Sequence, residues 1–244
     1  MSYLATSQSL HRPAGPISVL LRGELEPILG WLDRWNLRRL ALHLAIVILG
    51  AGLYGAAMGW WRDPQQALYV AIKFPLIILL TTAGNALLNA MLAPLLGLNI
   101  PFRQSGSAIL MSFTITAAIL GAFSPLLAFA VWNAPPMSPA AVSGTAYNGI
   151  LLTHVIVIAF AGVTGNVRLY QLLARLGGSR TVARRVLFTW LAGNLFLGSQ
   201  LSWILRPFIG SPSLPVEFYR ATALHGNFYE SVFRSLLQVF QQFN

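Results

Sequence analysis

The sequence predicts an all-α, polytopic membrane protein of about five transmembrane helices, with amphipathic helices at the N-terminus and the C-terminus. Two observations support this fold class. Of the 244 residues, 56% are hydrophobic and only 9% are charged, whereas a soluble domain carries roughly 25% charged residues. The hydrophobic residues also form long runs, as a span of the bilayer core requires. Too few charged residues remain to cover a water-facing surface.

The charge balance is strongly basic, with sixteen Lys plus Arg against six Asp plus Glu and a net charge of +10. The basic residues flank the apolar runs, so we expect anionic membrane lipids as partners and no nucleic acid. The chain has no cysteine, which excludes disulfides, thiolate metal sites and cysteine nucleophiles.

Residues 1–39 are predicted to form a cytoplasmic segment with one interfacial amphipathic helix, over residues 16–38. Apolar residues recur there at intervals of three or four: Ile17, Leu21, Leu25, Ile28, Leu32 and Trp35. The segment is too charged to cross a bilayer. It suits either a helix lying in the membrane surface or a helix packed on the protein's own membrane core.

Residues 40–206 are predicted to form the transmembrane domain, with helices at 40–61, 64–93, 106–132, 147–173 and 186–205. Arg38 and Arg39 precede the first helix, and Trp60 and Trp61 close it like the aromatic belt of a membrane interface. We expect the second helix to stop before Pro94, because proline lacks the N–H that a continuing helix needs.

Residues 207–244 are predicted to form an outer tail that turns at several prolines and glycines and ends in a second amphipathic helix. Asn227 followed by Glu230 has the spacing of a helix N-cap and its partner.

Arginine counting predicts the orientation of the helices. One side of the predicted topology carries eleven arginines, namely Arg12, Arg22, Arg34, Arg38, Arg39, Arg103, Arg168, Arg175, Arg180, Arg184 and Arg185. The other side carries four, namely Arg62, Arg206, Arg220 and Arg234. The amino terminus is therefore expected in the cytoplasm and the carboxyl terminus outside.

Basic residues are also the predicted contacts for lipids or anions. Five of them lie in or beside the loop between the fourth and fifth helices: Arg168, Arg175, Arg180, Arg184 and Arg185. Arg206, at the end of the fifth helix, suits either a lipid phosphate or a tie to the tail through Glu217 or Glu230. Lys73 is the only basic residue within an apolar run. Its stem either snorkels to the interface, or its ammonium serves an anion path or a lipid headgroup.

Polar and small residues on the apolar helices are predicted to govern helix packing. The polar candidates are Asn85, Asn89, His154, Asn194 and Gln200, which either line a solute path or form hydrogen bonds between helices. Gly55 and Gly59, and likewise Ala161 and Gly165, are spaced so that helix backbones can approach closely, within one chain or between two.

The sequence contains no HExxH, no GxSxG, no GxxxxGK[ST] and no paired membrane carboxylates. His154 has no second histidine or acid at a ligand spacing. We therefore expect no enzyme, no metal and no cofactor.

Three segments carry a resemblance to known proteins. Ala71–Leu80 reads AIKFPLIILL, and the tail contains LRPFIGSP and GNFYE. With the count of five helices, they resemble a group of uncharacterised bacterial multi-span membrane proteins, which is similar to the Yip-type membrane proteins. The resemblance implies an inner-membrane location and a non-enzymatic role in organisation, partner binding or support of a larger complex. It assigns no functional residue.

Two functions are consistent with these patterns. The first is a non-catalytic membrane scaffold or accessory subunit that engages lipids or other membrane chains, self or hetero. The alternative is a homo-oligomeric pore or carrier for a small anion, favoured by Lys73, by the arginine-rich rims and by the absence of membrane carboxylates. No inverted repeat, which many carriers show, is visible.

Overall fold

The computed structural model describes residues 15–22, 24–33, 36–138, 145–211, 214–233 and 237. Within this part of the chain every regular element is a helix. Two short helices come first, α1 (Pro16–Arg22) and α2 (Leu25–Asp33). Five long helices follow: α3 (Leu37–Trp60), α4 (Pro64–Leu95), α5 (Phe102–Trp132), α6 (Thr145–Leu176) and α7 (Arg180–Leu205). The predicted all-α class is confirmed.

Four helices in the described part of the chain, α3 to α6, are long and apolar enough to cross a membrane. The fifth predicted span is also a helix, α7, and its 26 residues are long enough for the same purpose. It is less apolar than the other four, because Asn194, Gln200 and Ser202 interrupt its hydrophobic residues.

Side-chain caps set the start of two long helices. The Asn36 side chain accepts hydrogen bonds from the backbone N–H groups of Arg38 and Arg39 at the start of α3. Asp63 caps α4, with Pro64 as its first residue. The expected stop before Pro94 is wrong, since α4 runs to Leu95. Pro94 lies in the last turn, and the Leu96 N–H still reaches the Leu92 and Ala93 carbonyls to close the helix.

The long helices form one bundle in which α4 and α5 lie at the centre. Helix α3 packs against both of them, α6 packs against α5, and α7 packs against α4 and α6. The α3–α4, α4–α5 and α6–α7 connections are short, so the helices that they join run in opposite directions and the bundle has two ends. We call the end with the α2–α3, α4–α5 and α6–α7 connections the arginine-rich end. The opposite end, where residues 207–211 and 214–233 lie, is the tail end.

The amino-terminal segment differs from the single amphipathic helix expected over residues 16–38. It forms α1 and α2, because Pro27 suits the first turn of a new helix but would clash inside a continuous one. Val19, Leu20, Ile28 and Leu32 are buried in the core at the arginine-rich end. Of the two placements expected from sequence, the structure has the one packed on the protein's own core.

The tail also returns to the bundle. Phe208 and Ile209 pack against a core cluster at the tail end that contains Tyr54, Val70 and Leu120. Residues 228–233 are helical, and Asn227 Oδ1 accepts a hydrogen bond from the Glu230 N–H at 2.9 Å. The predicted N-cap is therefore confirmed. The rest of the predicted tail helix, at 234–236 and 238–244, lies outside the described residues.

Candidate functional site

Lys73 is the centre of the polar contacts at the tail end. Its side chain is fully buried, with 0% exposure. The Nζ atom lies 3.2 Å from the Pro207 carbonyl oxygen and 3.4 Å from the Glu217 carbonyl oxygen, and donates to both. Its ammonium also lies over the Phe218 ring, 5.1 Å from the centroid. Lys73 therefore holds two points of the tail.

Gln66 makes a second tie to the same segment. It is buried, and its Nε2 atom donates to the Pro207 and Phe208 carbonyl oxygens, each at 2.9 Å. Seven residues separate Gln66 from Lys73, which places both on one face of α4, two helical turns apart. We call Gln66, Lys73 and the tail carbonyls that they bind the tail latch.

Aromatic packing and a surface arginine add to the tail latch. Tyr69 and Phe218 meet edge to face at 5.4 Å, and Phe74 and Phe208 do so at 6.4 Å. The Arg62 guanidinium donates to the Leu214 carbonyl at 3.2 Å. The segment is thus fixed by charge-assisted hydrogen bonds and by ring contacts.

The burial of Lys73 differs from the snorkelling role expected from sequence, and its role in an anion path or a lipid headgroup site stays a prediction. A snorkelling lysine keeps its charged head in water, whereas this ammonium has no exposed surface. In this arrangement its donors are directed at backbone carbonyls rather than at a lipid or a free anion. The tail causes this burial, because residues that follow α7 in the chain cover the Lys73 side chain.

Arg206 lies where α7 ends and the tail begins. Its guanidinium stacks on the Trp203 ring at 3.6 Å and donates to the Trp203 carbonyl oxygen. Partial burial, together with the nearby Arg220 charge, lowers the pKa of Arg206 from its ordinary value. Lys73, Gln66 and Arg62 also tie the tail to the bundle, and the two roles expected for Arg206 stay predictions.

A polar seam joins α4 to α7. The Asn85 side chain donates to Asn194 Oδ1 at 2.6 Å and to the Trp190 carbonyl oxygen at 3.2 Å, and it accepts from Asn89 Nδ2 at 3.1 Å. Gly193 lets the two helices approach at this point, because an added Cβ would lie 2.7 Å from Asn85 Oδ1. Three of the predicted packing asparagines therefore meet at one contact.

The other predicted polar residues contact different partners. His154 is buried in α6, and its Nδ1 atom lies 3.1 Å from the Tyr54 hydroxyl of α3. Gln200, near the end of α7, accepts a hydrogen bond from the Phe228 backbone N–H at 3.3 Å. Neighbouring Ser199 donates to the Tyr229 hydroxyl at 2.9 Å. Gln200 thus contacts the tail rather than a neighbouring long helix.

The small residues face other helices of the same chain. A Cβ added to Gly55 would lie 2.5 Å from the Val70 carbonyl oxygen, and one added to Gly59 would lie 2.6 Å from the Gln66 carbonyl oxygen. Ala161 accepts a hydrogen bond from Thr116 Oγ1 at 3.3 Å, and Gly165 faces the Ser112 carbonyl. The first pair seats α3 on α4, and the second seats α6 on α5.

The arginines of the α6–α7 connection lie at the surface of the arginine-rich end. Arg175, Arg180, Arg184 and Arg185 are exposed. Arg168 is half-buried, and its Nη1 atom donates to Gln171 Oε1 at 3.2 Å. The structure brings none of these arginines near Lys73 or Arg206, so the predicted lipid or anion contacts divide between the two ends of the bundle.

No protein-family model, curated protein or solved structure matches this chain.

Sequence reasoning missed Gln66 and the tail carbonyls that it binds. A signal for Gln66 is present, since a Gln and a Lys seven residues apart on an apolar helix share one face. No comparable signal marks the carbonyl oxygens of Pro207 and Glu217, because every residue has a carbonyl group. Their role depends on the turn that brings them over α4.

Proposed function

We propose that the protein is a non-catalytic integral membrane scaffold or accessory subunit, whose α7 contacts a second membrane chain. In this proposal it lies in the bacterial inner membrane with its amino terminus in the cytoplasm. The arginine asymmetry supports the orientation. The resemblance to bacterial multi-span proteins and to Yip-type proteins supports the location and the class of role.

The observation that carries the proposal is the outer half of α7. None of the residues 191–204, all of which the structure describes, is buried. This stretch carries Ser202 and also Asn194, Ser199 and Gln200, which each have one or two hydrogen-bond contacts within the chain and further polar capacity. Leu195 and Phe196 beside them are strongly exposed. A polar side chain that faces hydrocarbon without a full set of partners is costly. A helix from another chain would cover both the polar and the apolar groups.

The other long helices show the contrast. Exposed residues on α6, such as Val155, Ile156, Phe160 and Val163, are apolar and suit contact with lipid tails. Helix α7 therefore forms the face of the bundle that contact with another protein would stabilise most. Hydrogen bonds between helices in membranes add about 0.6 kcal/mol each, so several polar groups are needed for a lasting contact.

Cross-linking tests the contact, because the chain has no cysteine of its own. We expect Leu195→Cys to form disulfide-linked dimers in native membranes if the neighbour is a second copy. A photoreactive residue at position 195 should give one discrete adduct if the neighbour is a different protein. Val163→Cys, exposed on α6 at a similar distance from the arginine-rich end, is the control. Equal cross-linking at both positions, or none at either, would reject the proposal.

The tail latch argues against the pore or carrier, because it occupies the one lysine that favoured that function. Anion flux into proteoliposomes containing the folded protein tests this alternative. We expect flux no greater than in empty liposomes for the wild type and for Lys73→Met. Wild-type flux that falls with Lys73→Met while the fold survives would establish the anion path and refute the scaffold as a complete account.

A further inference from the structure

A second site lies at the arginine-rich end, in a cleft between α2, the first two turns of α3, and α5. The cleft is open to the surface, and the space within it is about 40 Å³. Its polar lining comes from Asn36, Arg39, His43 and Ser107, and its apolar lining comes from Trp31, Leu32, Leu40, Leu110 and Met111. This space is far smaller than a typical small-molecule pocket, so only a single small polar group fits inside it.

Two nitrogen groups in the cleft have no hydrogen-bond partner among the described residues. They are Arg39 Nη1 and His43 Nδ1. His43 is only 5% exposed, so water reaches it poorly. The Arg39 guanidinium is held over the Trp31 ring, 5.3 Å from its centroid. A buried nitrogen without a partner is uncommon in native proteins and is often explained by an unseen ligand.

The charge of the cleft selects the kind of ligand. Among the described residues, the only charged side chain in its lining is the Arg39 cation, and no Asp or Glu is among these lining residues. The start of α3 adds a partial positive charge, since this 24-residue helix begins at Leu37. Arginine and a helix start together favour a phosphate-like oxyanion.

The apolar half of the lining indicates where such a phosphate comes from. Arg39 lies in the first turn of an apolar helix long enough to span a membrane, which is the depth of lipid headgroups. Leu32, Leu40 and Met111 offer contact to hydrocarbon beside the charged groups. A free inorganic ion gains no favourable contact from these apolar side chains, whereas a lipid presents a phosphate attached to an apolar body.

We infer that this cleft binds the phosphate headgroup of an anionic phospholipid. Arg39 and His43 bind the phosphate oxygens, and α2 covers the bound headgroup through Trp31 and Leu32. The inference goes beyond the scaffold role, and it concerns a site separate from the α7 contact. Its success or failure leaves the α7 cross-linking result unchanged.

The test is a lipid titration of the full-length protein in mild detergent, followed by native mass spectrometry. Phosphatidylglycerol is compared with phosphatidylcholine and with inorganic phosphate as a competitor. We expect one phosphatidylglycerol adduct of higher affinity, weakened about tenfold or more by Arg39→Gln, because a charged hydrogen bond is lost. Arg38→Gln removes the same charge from an exposed neighbouring position and should change the affinity less than twofold.

Two further variants keep the test decisive if Arg39→Gln fails to fold. His43→Gln removes the second unpartnered nitrogen, and Ser107→Leu narrows the cleft without changing any charge. Either should weaken phosphatidylglycerol binding. Equal binding of phosphatidylcholine, equal weakening by Arg38→Gln, or displacement of the lipid by millimolar inorganic phosphate would overturn the inference.

Discussion

At the scale of single residues, Lys73 has a chemical identity that no other residue shares. Fifteen of the sixteen basic residues are arginine, and Lys73 is the only lysine. An ammonium is a compact charge with three donors, which suits two carbonyl oxygens and an aromatic face in a closed space. A planar guanidinium at this position would need more room than the fully buried site provides.

The first prediction concerns the Lys73→Met variant, which keeps an unbranched side chain one atom shorter than lysine and removes its donors. The Pro207 and Glu217 carbonyls then lose a charge-assisted partner, so the detached tail becomes more populated. We expect tryptic cleavage after Arg220 to become about tenfold faster. Leu76→Met, on the exposed side of α4, is the matched control. Cleavage of Lys73→Met at the wild-type rate would show that the latch does not hold the tail.

The second prediction uses the single lysine as a reporter. A water-soluble amine reagent should modify Lys73 slowly in the wild type, because the tail covers the ammonium. Phe218→Ala removes the ring above it and should accelerate the modification several-fold. Tyr219→Ala changes the exposed neighbour and should leave the rate unchanged. Peptide mass spectrometry separates Lys73 from the terminal amine, and fast modification of the wild type would contradict the burial.

At the scale of helices, the contact between α3 and α4 depends on backbones that nearly touch. Gly55 and Gly59 leave room for the Val70 and Gln66 carbonyls, and a methyl group at either position has backbone directly in its way. Backbone atoms cannot move aside as a flexible side chain does. The contact therefore tolerates no side chain.

The third prediction follows from this contact. Gly59→Ala should lower the free energy of unfolding by about 1–3 kcal/mol, since overpacking forces α3 away from α4. Gly162→Ala is the control, because an added Cβ there meets nothing within 4 Å. Thermal unfolding of the two variants in the same detergent makes the comparison. A Gly59→Ala protein as stable as Gly162→Ala would show that the helices can separate without cost.

At the scale of the whole molecule, the sequence predicted the helices more completely than the contacts between them. Apolar runs bounded by Arg38–Arg39, Trp60–Trp61 and Pro64 identify the spans directly, because hydrophobic length is a local property. The tail latch joins residues 134 and 144 positions apart. The latch depends on how the tail folds back from the end of α7 onto α4. The hydrophobic periodicity of the sequence carries no information about that contact. Pro27 marks the division of the amino-terminal segment in the sequence, because proline is disfavoured inside a continuous helix.

The fourth prediction concerns topology. Single cysteines at Ser179, in the α6–α7 connection, and at Tyr219, in the tail, lie at opposite ends of the bundle. A membrane-impermeant maleimide applied to intact cells should label Tyr219→Cys and not Ser179→Cys, and disrupted cells should label both. The expected direction of labelling follows from the arginine asymmetry, which predicts the arginine-rich end on the cytoplasmic side. Labelling of both cysteines in intact cells would refute the proposed orientation.

The position of the tail latch in the chain also affects biosynthesis. Helix α4 leaves the ribosome long before Pro207, which follows Lys73 by 134 residues. Until the tail is made, α4 must enter the membrane with its ammonium uncovered. A lysine at the centre of an inserting helix costs about 3 kcal/mol on the translocon scale. Lys73 lies nearer one end of α4, so its cost is smaller, and the strongly apolar remainder of α4 offsets it. Insertion thus precedes the covering of the ammonium by the tail, so a chain whose synthesis stops before the tail would hold an uncovered charge in α4.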